Sequence, residues 1–196
     1  MKKIISAVLI ITVLLLTLTA LLSCDGKREI RDYYYAKMTV KNFGTVIIKL
    51  DRTAAPITVD NFVALADDGF YDGLTFHRII DNFMIQGGAG DGEGSLKSIK
   101  GEFDSNGHEN PILHNRGTIS MARTDDPDSA TSQFFICNAD SPHLDGNYAA
   151  FGYVVEGMDV IDDITDYGVQ YAWGGIIYNE QYRPVIESIV IYYEMP

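Results

Sequence analysis

Three stretches hold side chains whose types and spacing could do chemistry. The first runs Phe76-His77-Arg78-Ile79-Ile80-Asp81-Asn82-Phe83-Met84-Ile85-Gln86-Gly87-Gly88 and sets one arginine inside an apolar run. A guanidinium is permanently charged and offers five N–H donors and no acceptor. It is rarely buried unless paired, and on periodicity alone Arg78 simply points to solvent. The second stretch runs from Gly117 to Arg123 and resumes, after an acidic loop, from Ser129 to Ile136. The third runs from His143 to Gly152. Taken singly, each reads as core plus turns.

Other chemistries find little support. His77, His108, His114 and His143 form no HxxxH pair, and no cysteine joins them at metal-ligand spacing, so no metal is expected. Asp140 to Asn147 does not match a calcium loop. Gly87 to Ser95 looks like a phosphate loop but lacks the closing Lys-Ser/Thr, opens no helical pattern and is acidic. It reads as a flexible loop. Cys137, in Phe134-Phe135-Ile136-Cys137, reads as a buried core thiol.

The elements that must position these residues are mostly strands. Lys37–Phe43 and Thr45–Leu50 flank a hairpin connection, and the triplet Tyr33-Tyr34-Tyr35 fits either a tether or a first strand. Further β-rich runs follow at Leu74–Ile80, Phe83–Gln86, Thr118–Ala122, Gln133–Cys137, Ala149–Val155 and Val185–Tyr193, separated by Gly, Asp and Asn. Pro56 suits a first helical turn, with Val59, Phe62, Val63 and Ala66 on one face. Met158, Ile161 and Ile164 mark a shorter helix. Many strands with few helices fit a closed barrel or a sandwich, and pattern alone does not choose.

Composition sets the outer bounds. The 196 residues suit one domain, and 46% apolar content supplies a core. The formal charge of −12 excludes nucleic acid as a natural partner, since phosphate contacts need clustered Lys and Arg. Two cysteines make no disulfide framework. Nothing resembles a coiled-coil stripe, so a monomer is expected.

Together the three stretches closely resemble the cyclophilin family of peptidyl-prolyl cis-trans isomerases, in the family's order and spacing. Smaller echoes are Asn61-Phe62, Ser98 to Phe103 and Val154 to Gly157. The resemblance runs from about Ala36 to Tyr193. It implies a closed eight-stranded antiparallel β-barrel capped by two α-helices. It also implies that Arg78 is the catalytic arginine, with Gln86 beside it, and that Phe83, Met84, Phe135 and Leu144 form the proline pocket. Ala122, Arg123 and Gln133 match the peptide groove, Arg123 through its backbone. His143 stands where the best-known eukaryotic members carry the Trp that contacts cyclosporin, and Tyr148 stands where they carry His. Loss of that large aromatic surface should weaken the drug. The acidic loop around Asp125-Asp126-Pro127-Asp128 is one residue longer than the eukaryotic pattern. No bond is made or broken in this reaction, so no cofactor is expected. The partners implied are proline-containing polypeptides.

The start of the chain reads as a targeting segment. Lys2 and Lys3 precede an uncharged run from Ile4 to Leu22, and Leu21-Leu22-Ser23-Cys24 resembles a bacterial lipobox. On that reading residues 1–23 are a signal peptide, Cys24 is lipidated, residues 24–35 are a tether and residues 36–196 form the isomerase domain. The alternative is an uncleaved membrane anchor of nineteen uncharged residues. Either places the domain outside the cytoplasm at a cell membrane. Cleavage removes two lysines and deepens the charge from −12 to −14, so anionic headgroups repel the domain and the acyl chains must hold it.

Two other functions fit the same chain less well: a proline-segment-binding chaperone or scaffold with little turnover, and a passive envelope lipoprotein. Mass spectrometry of the mature amino terminus tests the leader. Acylated Cys24 is expected; an intact Met1 rules out processing.

Overall fold

Alternation decides which faces are buried. In β1 (Tyr33–Val40), Tyr34, Ala36, Met38 and Val40 point inward, and in β2 (Gly44–Asp51) Val46, Ile48 and Leu50 do the same. Tyr33-Tyr34-Tyr35 therefore belongs to the first strand. The computed structural model describes residues 30–90 and 93–196. The expected signal peptide, Cys24, the start of the expected tether and the Asp91-Gly92 pair lie outside the described residues. Among the described residues no helix is long and apolar enough to cross a membrane.

The remaining elements are α1 (Pro56–Asp67), β3 (Thr75–Ile80), β4 (Met84–Ala89), β5 (Thr118–Met121), β6 (Phe134–Cys137), β7 (Ala150–Glu156), α2 (Met158–Gly168) and β8 (Ile186–Tyr192). All strand pairs are antiparallel, in the order β3-β4-β6-β5-β7-β2-β1-β8. The glycine-rich stretch is not all loop: Gly87, Gly88 and Ala89 complete β4. A Cβ on Gly87 would lie 2.9 Å from the Phe76 ring, so glycine lets the two strands pack closely here.

The sheet curls into a half-barrel and does not close as a continuous ladder. Its ends, β3 and β8, meet at one corner. Thr75 stands opposite Val185, Phe76 N–H donates to Pro184 O at 2.9 Å, and Gly73 and Ile186 donate to Ile186 O and Leu74 O at 2.8 Å. Two features stop the pairing there. Pro184 has no N–H to return. Farther along β3 the edge is taken by another segment: Ile79 N–H donates to Gly175 O at 2.8 Å and Ile177 N–H to His77 O at 2.9 Å.

The concave side holds the main core, built around Phe62 of α1. Its ring lies 5.1 Å from Tyr71, 5.6 Å from Phe134 and 5.3 Å from Phe151. Helix α1 packs on β8 and β2, and α2 on β2 and β3. Helix α1 begins with Pro56 at its first position, and Ala55 ahead of it has no side chain to cap the free amides. Glu102 does so from a distant loop. Its carboxylate accepts from Ile57 N–H at 3.0 Å and Thr58 N–H at 2.8 Å, and its side chain is buried. Negative charge at a helix N-terminus also interacts favourably with the positive end of the macrodipole.

Glu102→Ala should therefore lower the unfolding free energy by about 1–3 kcal/mol, the usual cost of stranding buried donors. Urea denaturation checks this; an unchanged midpoint would show that water replaces the cap.

Candidate functional site

Arg78 owes its direction to a β-bulge. In the β3–β4 ladder Phe76 faces Gly87 and Arg78 faces Gln86, so His77 is an extra residue inserted between these two opposed pairs. Gln86 and Gly87 are adjacent and point to opposite faces. Phe76 and Arg78 must then do the same, although they are two residues apart. Phe76 enters the core, fully buried, and Arg78 emerges half-buried on the convex face.

Directly opposed residues share a face in an antiparallel sheet. The register therefore lays out a row across the convex side: Arg78 on β3, Gln86 on β4, Phe135 on β6 and Ser120 on β5. Arg78 Nη1–H donates to Gln86 Oε1 at 3.1 Å, and Gln86 Nε2–H donates to Gln133 Oε1 at 2.9 Å. Gln86 thus holds the guanidinium on one side and is itself fixed on the other.

Beside this polar rim lies a hollow of about 100 Å³ lined by Arg78, Phe83, Met84, Gln86, Ala122, Arg123, Phe135, Leu144 and Tyr148. Its floor is a second apolar cluster, apart from the main core, made of Met84, Phe135, Cys137 and Leu144. Strand β6 is therefore buried on both faces: Phe134 and Ile136 enter the core, Phe135 and Cys137 the floor. The Cys137 thiol is fully buried, and loss of solvent pushes its pKa up to about 12. It is an inert packing group at neutral pH.

Nine of the sequence-selected residues meet at this hollow. Gln133 joins it through Gln86. His143 stands exposed on the rim, its ring 5.2 Å from that of Phe83. The side chain of Arg123 turns away to brace a loop. It donates to Asn147 O at 2.9 and 3.1 Å and lies 4.6 Å from the Tyr148 ring centroid. Tyr148 in turn sets its edge against Phe135 at 5.9 Å. The long acidic loop is braced too: Asp128 accepts from Gly101 N–H at 3.0 Å and Asn106 Nδ2–H at 2.8 Å.

A layer beneath the hollow was not legible in the sequence. His114 is buried and stacks on Phe135, with ring centroids 6.0 Å apart and planes inclined by 17°. Its Nδ1 lies 2.9 Å from Asp145 Oδ1, which also accepts the His114 backbone N–H at 2.8 Å. Its Nε2 lies 3.0 Å from Ser120 Oγ. A neutral ring satisfies both, with Nδ1–H donating to the carboxylate and Nε2 accepting from the hydroxyl. The partners lie 31 residues apart, so no local motif signals them. Among the described residues, no three His, Cys, Asp or Glu side chains are grouped to hold a metal ion.

Comparison with known proteins gives a consistent picture. The family model "Cyclophilin type peptidyl-prolyl cis-trans isomerase/CLD" matches residues 35–190. The "Peptidyl-prolyl cis-trans isomerase A" of Dickeya dadantii is 43% identical over 152 residues, covering 73% of this chain and 76% of the relative. The "Peptidyl-prolyl cis-trans isomerase" of Acinetobacter baylyi is 45% identical over 130 residues, covering 64% of this chain and 69% of the relative. A crystal structure of a Cryptosporidium parvum cyclophilin-type isomerase, determined in the presence of the dipeptide Ala-Pro, superposes with a TM-score of 0.70 at 26% identity. It covers 82% of this chain and 99% of that one.

Burial holds the His114 imidazole below its ordinary pKa of 6.5, against the opposing pull of Asp145. The folded pKa is thus depressed below the unfolded one. The stability this ring contributes is full above 6.5 and is lost as pH falls through the folded value. Imidazole ¹⁵N shifts should accordingly keep His114 neutral to lower pH than an unfolded histidine. A midpoint above 6.5 would show that the carboxylate outweighs burial.

Proposed function

The chain belongs to the cyclophilin-type peptidyl-prolyl cis-trans isomerases, and we propose how its hollow turns an X–Pro bond and where it does so. It accelerates rotation about that bond. The barrier is about 18–20 kcal/mol, and uncatalysed exchange takes tens to hundreds of seconds. Catalysis requires tighter binding of the twisted amide than of either planar form.

Twisting breaks amide resonance and returns a lone pair to the proline nitrogen. A planar amide nitrogen cannot accept a hydrogen bond; a twisted one can. The proline ring rests on Met84, Phe135 and Leu144, with Phe83 at its side. Arg78 donates to the nitrogen as the bond turns. Gln86 takes one of the five guanidinium donors and holds the head in place, so little reorientation is needed at that moment. The twisted amide is also less polar, and the apolar floor favours it. Backbone groups around Ala122 and Arg123 and the side chain of Gln133 hold the flank of the peptide, while His143 and Tyr148 shape the rim. The observation that carries this reading is the bulge-directed guanidinium at the edge of a small apolar hollow. The Ala-Pro dipeptide, in whose presence the similar Cryptosporidium structure was determined, carries the X–Pro bond that this reading requires.

The start of the sequence supports a site of action outside the cytoplasm. A basic start, an uncharged run and Cys24 in a lipobox-like setting support a domain tethered by acyl chains outside the cytoplasm. Its clients there are unfolded, proline-containing segments of extracytoplasmic proteins, and it works as a monomer without metal or cofactor.

The test is Arg78→Ala in the full chain. A charge-assisted hydrogen bond contributes roughly 1.5–3 kcal/mol, so kcat/KM on a short X–Pro peptide should fall about 10- to 150-fold. The urea midpoint should stay where it is. A wild-type rate equal to the uncatalysed one would instead favour a proline-binding module without turnover.

A further inference from the structure

The row of convex-face residues does not stop at Arg78. The segment that covers the outer edge of β3 places Ile176 directly opposite Arg78, in a pair flanked by the Ile79–Gly175 and Ile177–His77 hydrogen bonds. Opposed side chains share a face and approach closely in such a pair. Ile176 in turn faces Trp173 across a two-residue turn. Trp173 N–H donates to Ile176 O at 3.0 Å, and Ile176 N–H donates to Trp173 O at 3.2 Å. Gly174 and Gly175 make this turn with φ of +60° and +84°, and a Cβ on Gly175 would lie 2.6 Å from Ile80. Burial agrees with the register. Ile177 is fully buried, while Ile176, Trp173 and Tyr178 are 37%, 79% and 63% exposed. The Trp173 and Tyr178 rings lie 6.4 Å apart.

We propose that Trp173, Ile176 and Tyr178 form a ledge that extends the catalytic groove beyond Arg78 and takes an apolar, preferably aromatic, client side chain near the proline. The ledge rests on the isomerase reading of the hollow, because its continuity with that groove is what names its occupant. Large aromatic side chains exposed in a contiguous group mark binding surfaces more often than they serve stability. A protein strand spacing of about 4.8 Å puts Ile176 one step and Trp173 two steps from Arg78. An extended peptide advances about 3.3–3.6 Å per residue. The side chain received is thus two to three residues from the proline, on the flank away from Arg123.

The chain has a single tryptophan, so its emission reports on the ledge alone. The experiment uses the full chain with an alanine-based peptide around one Ala-Pro bond and a matched set with Phe two or three residues to either side. One set of Phe positions should be turned over about 3- to 10-fold faster in kcat/KM, in line with one aromatic contact. The same peptides should shift the Trp173 emission to the blue. Trp173→Ala should bring the ratio of the two peptides to about one, and Tyr178→Ala should reduce it. Equal turnover of all peptides with unmoved emission overturns the ledge and leaves the isomerase standing. Absence of turnover on every peptide overturns the isomerase reading, and the emission shift then still decides the ledge. An emission shift that follows protein concentration without peptide assigns the surface to a second copy and overturns the proposal.

Discussion

One extra residue in one strand governs the convex face. Without the bulge at His77, strict alternation would put Arg78 on the same side as Phe76, and a guanidinium would enter an aromatic core. Such a charge would need a buried partner to be tolerated. With the bulge, the core keeps Phe76 and Ile79, and the convex face receives Arg78 and Ile80. The same short strand thus serves the core and the site. The shift brings Arg78 into the row that holds Gln86 and Phe135, so the guanidinium stands beside its Gln86 partner at the edge of the hollow.

The floor of the hollow answers a second constraint. A proline ring needs an apolar surface, but an exposed apolar patch on a sheet is a liability. The chain resolves this by sinking the floor. Phe135 is wedged between the stacked His114 ring and the edge of Tyr148, and Leu144 comes in from a short turn. Two charged groups act as braces around it: Asp145 under His114, and the Arg123 side chain on the Asn147 carbonyl. Placement of the floor therefore depends on polar contacts that make no contact with substrate in the mechanism.

The strands were readable where one face meets the core and the other meets water, as in β1 and β2. They were less readable where that condition fails. Strand β6 is apolar at every position because it has two buried faces, so alternation carries no signal there. Strand β4 ends in Gly87-Gly88-Ala89, which reads as loop until the proximity of Phe76 explains the missing side chains. Tyr33-Tyr34-Tyr35 was ambiguous because β-forming residues follow directly on a charged segment. The chemistry of Arg78 was legible from its type and its resemblance to a family motif. Its direction was not, because a bulge is a relation between two strands. The Glu102 cap of α1 and the His114–Asp145 pair escaped for the same reason: each joins residues brought together only by the finished fold.

The account turns on the idea that the guanidinium strengthens its hold only as the amide twists. Replacing Arg78 by its neutral isostere citrulline keeps the shape and most donors and removes the charge. Exchange spectroscopy on the bound peptide then separates two quantities: the affinity for the planar peptide and the rate of rotation on the enzyme. The account predicts a rate at least tenfold slower, about 1.4 kcal/mol of transition-state stabilisation, with affinity changed little. Unchanged rotation, or a loss carried wholly by affinity, would contradict it.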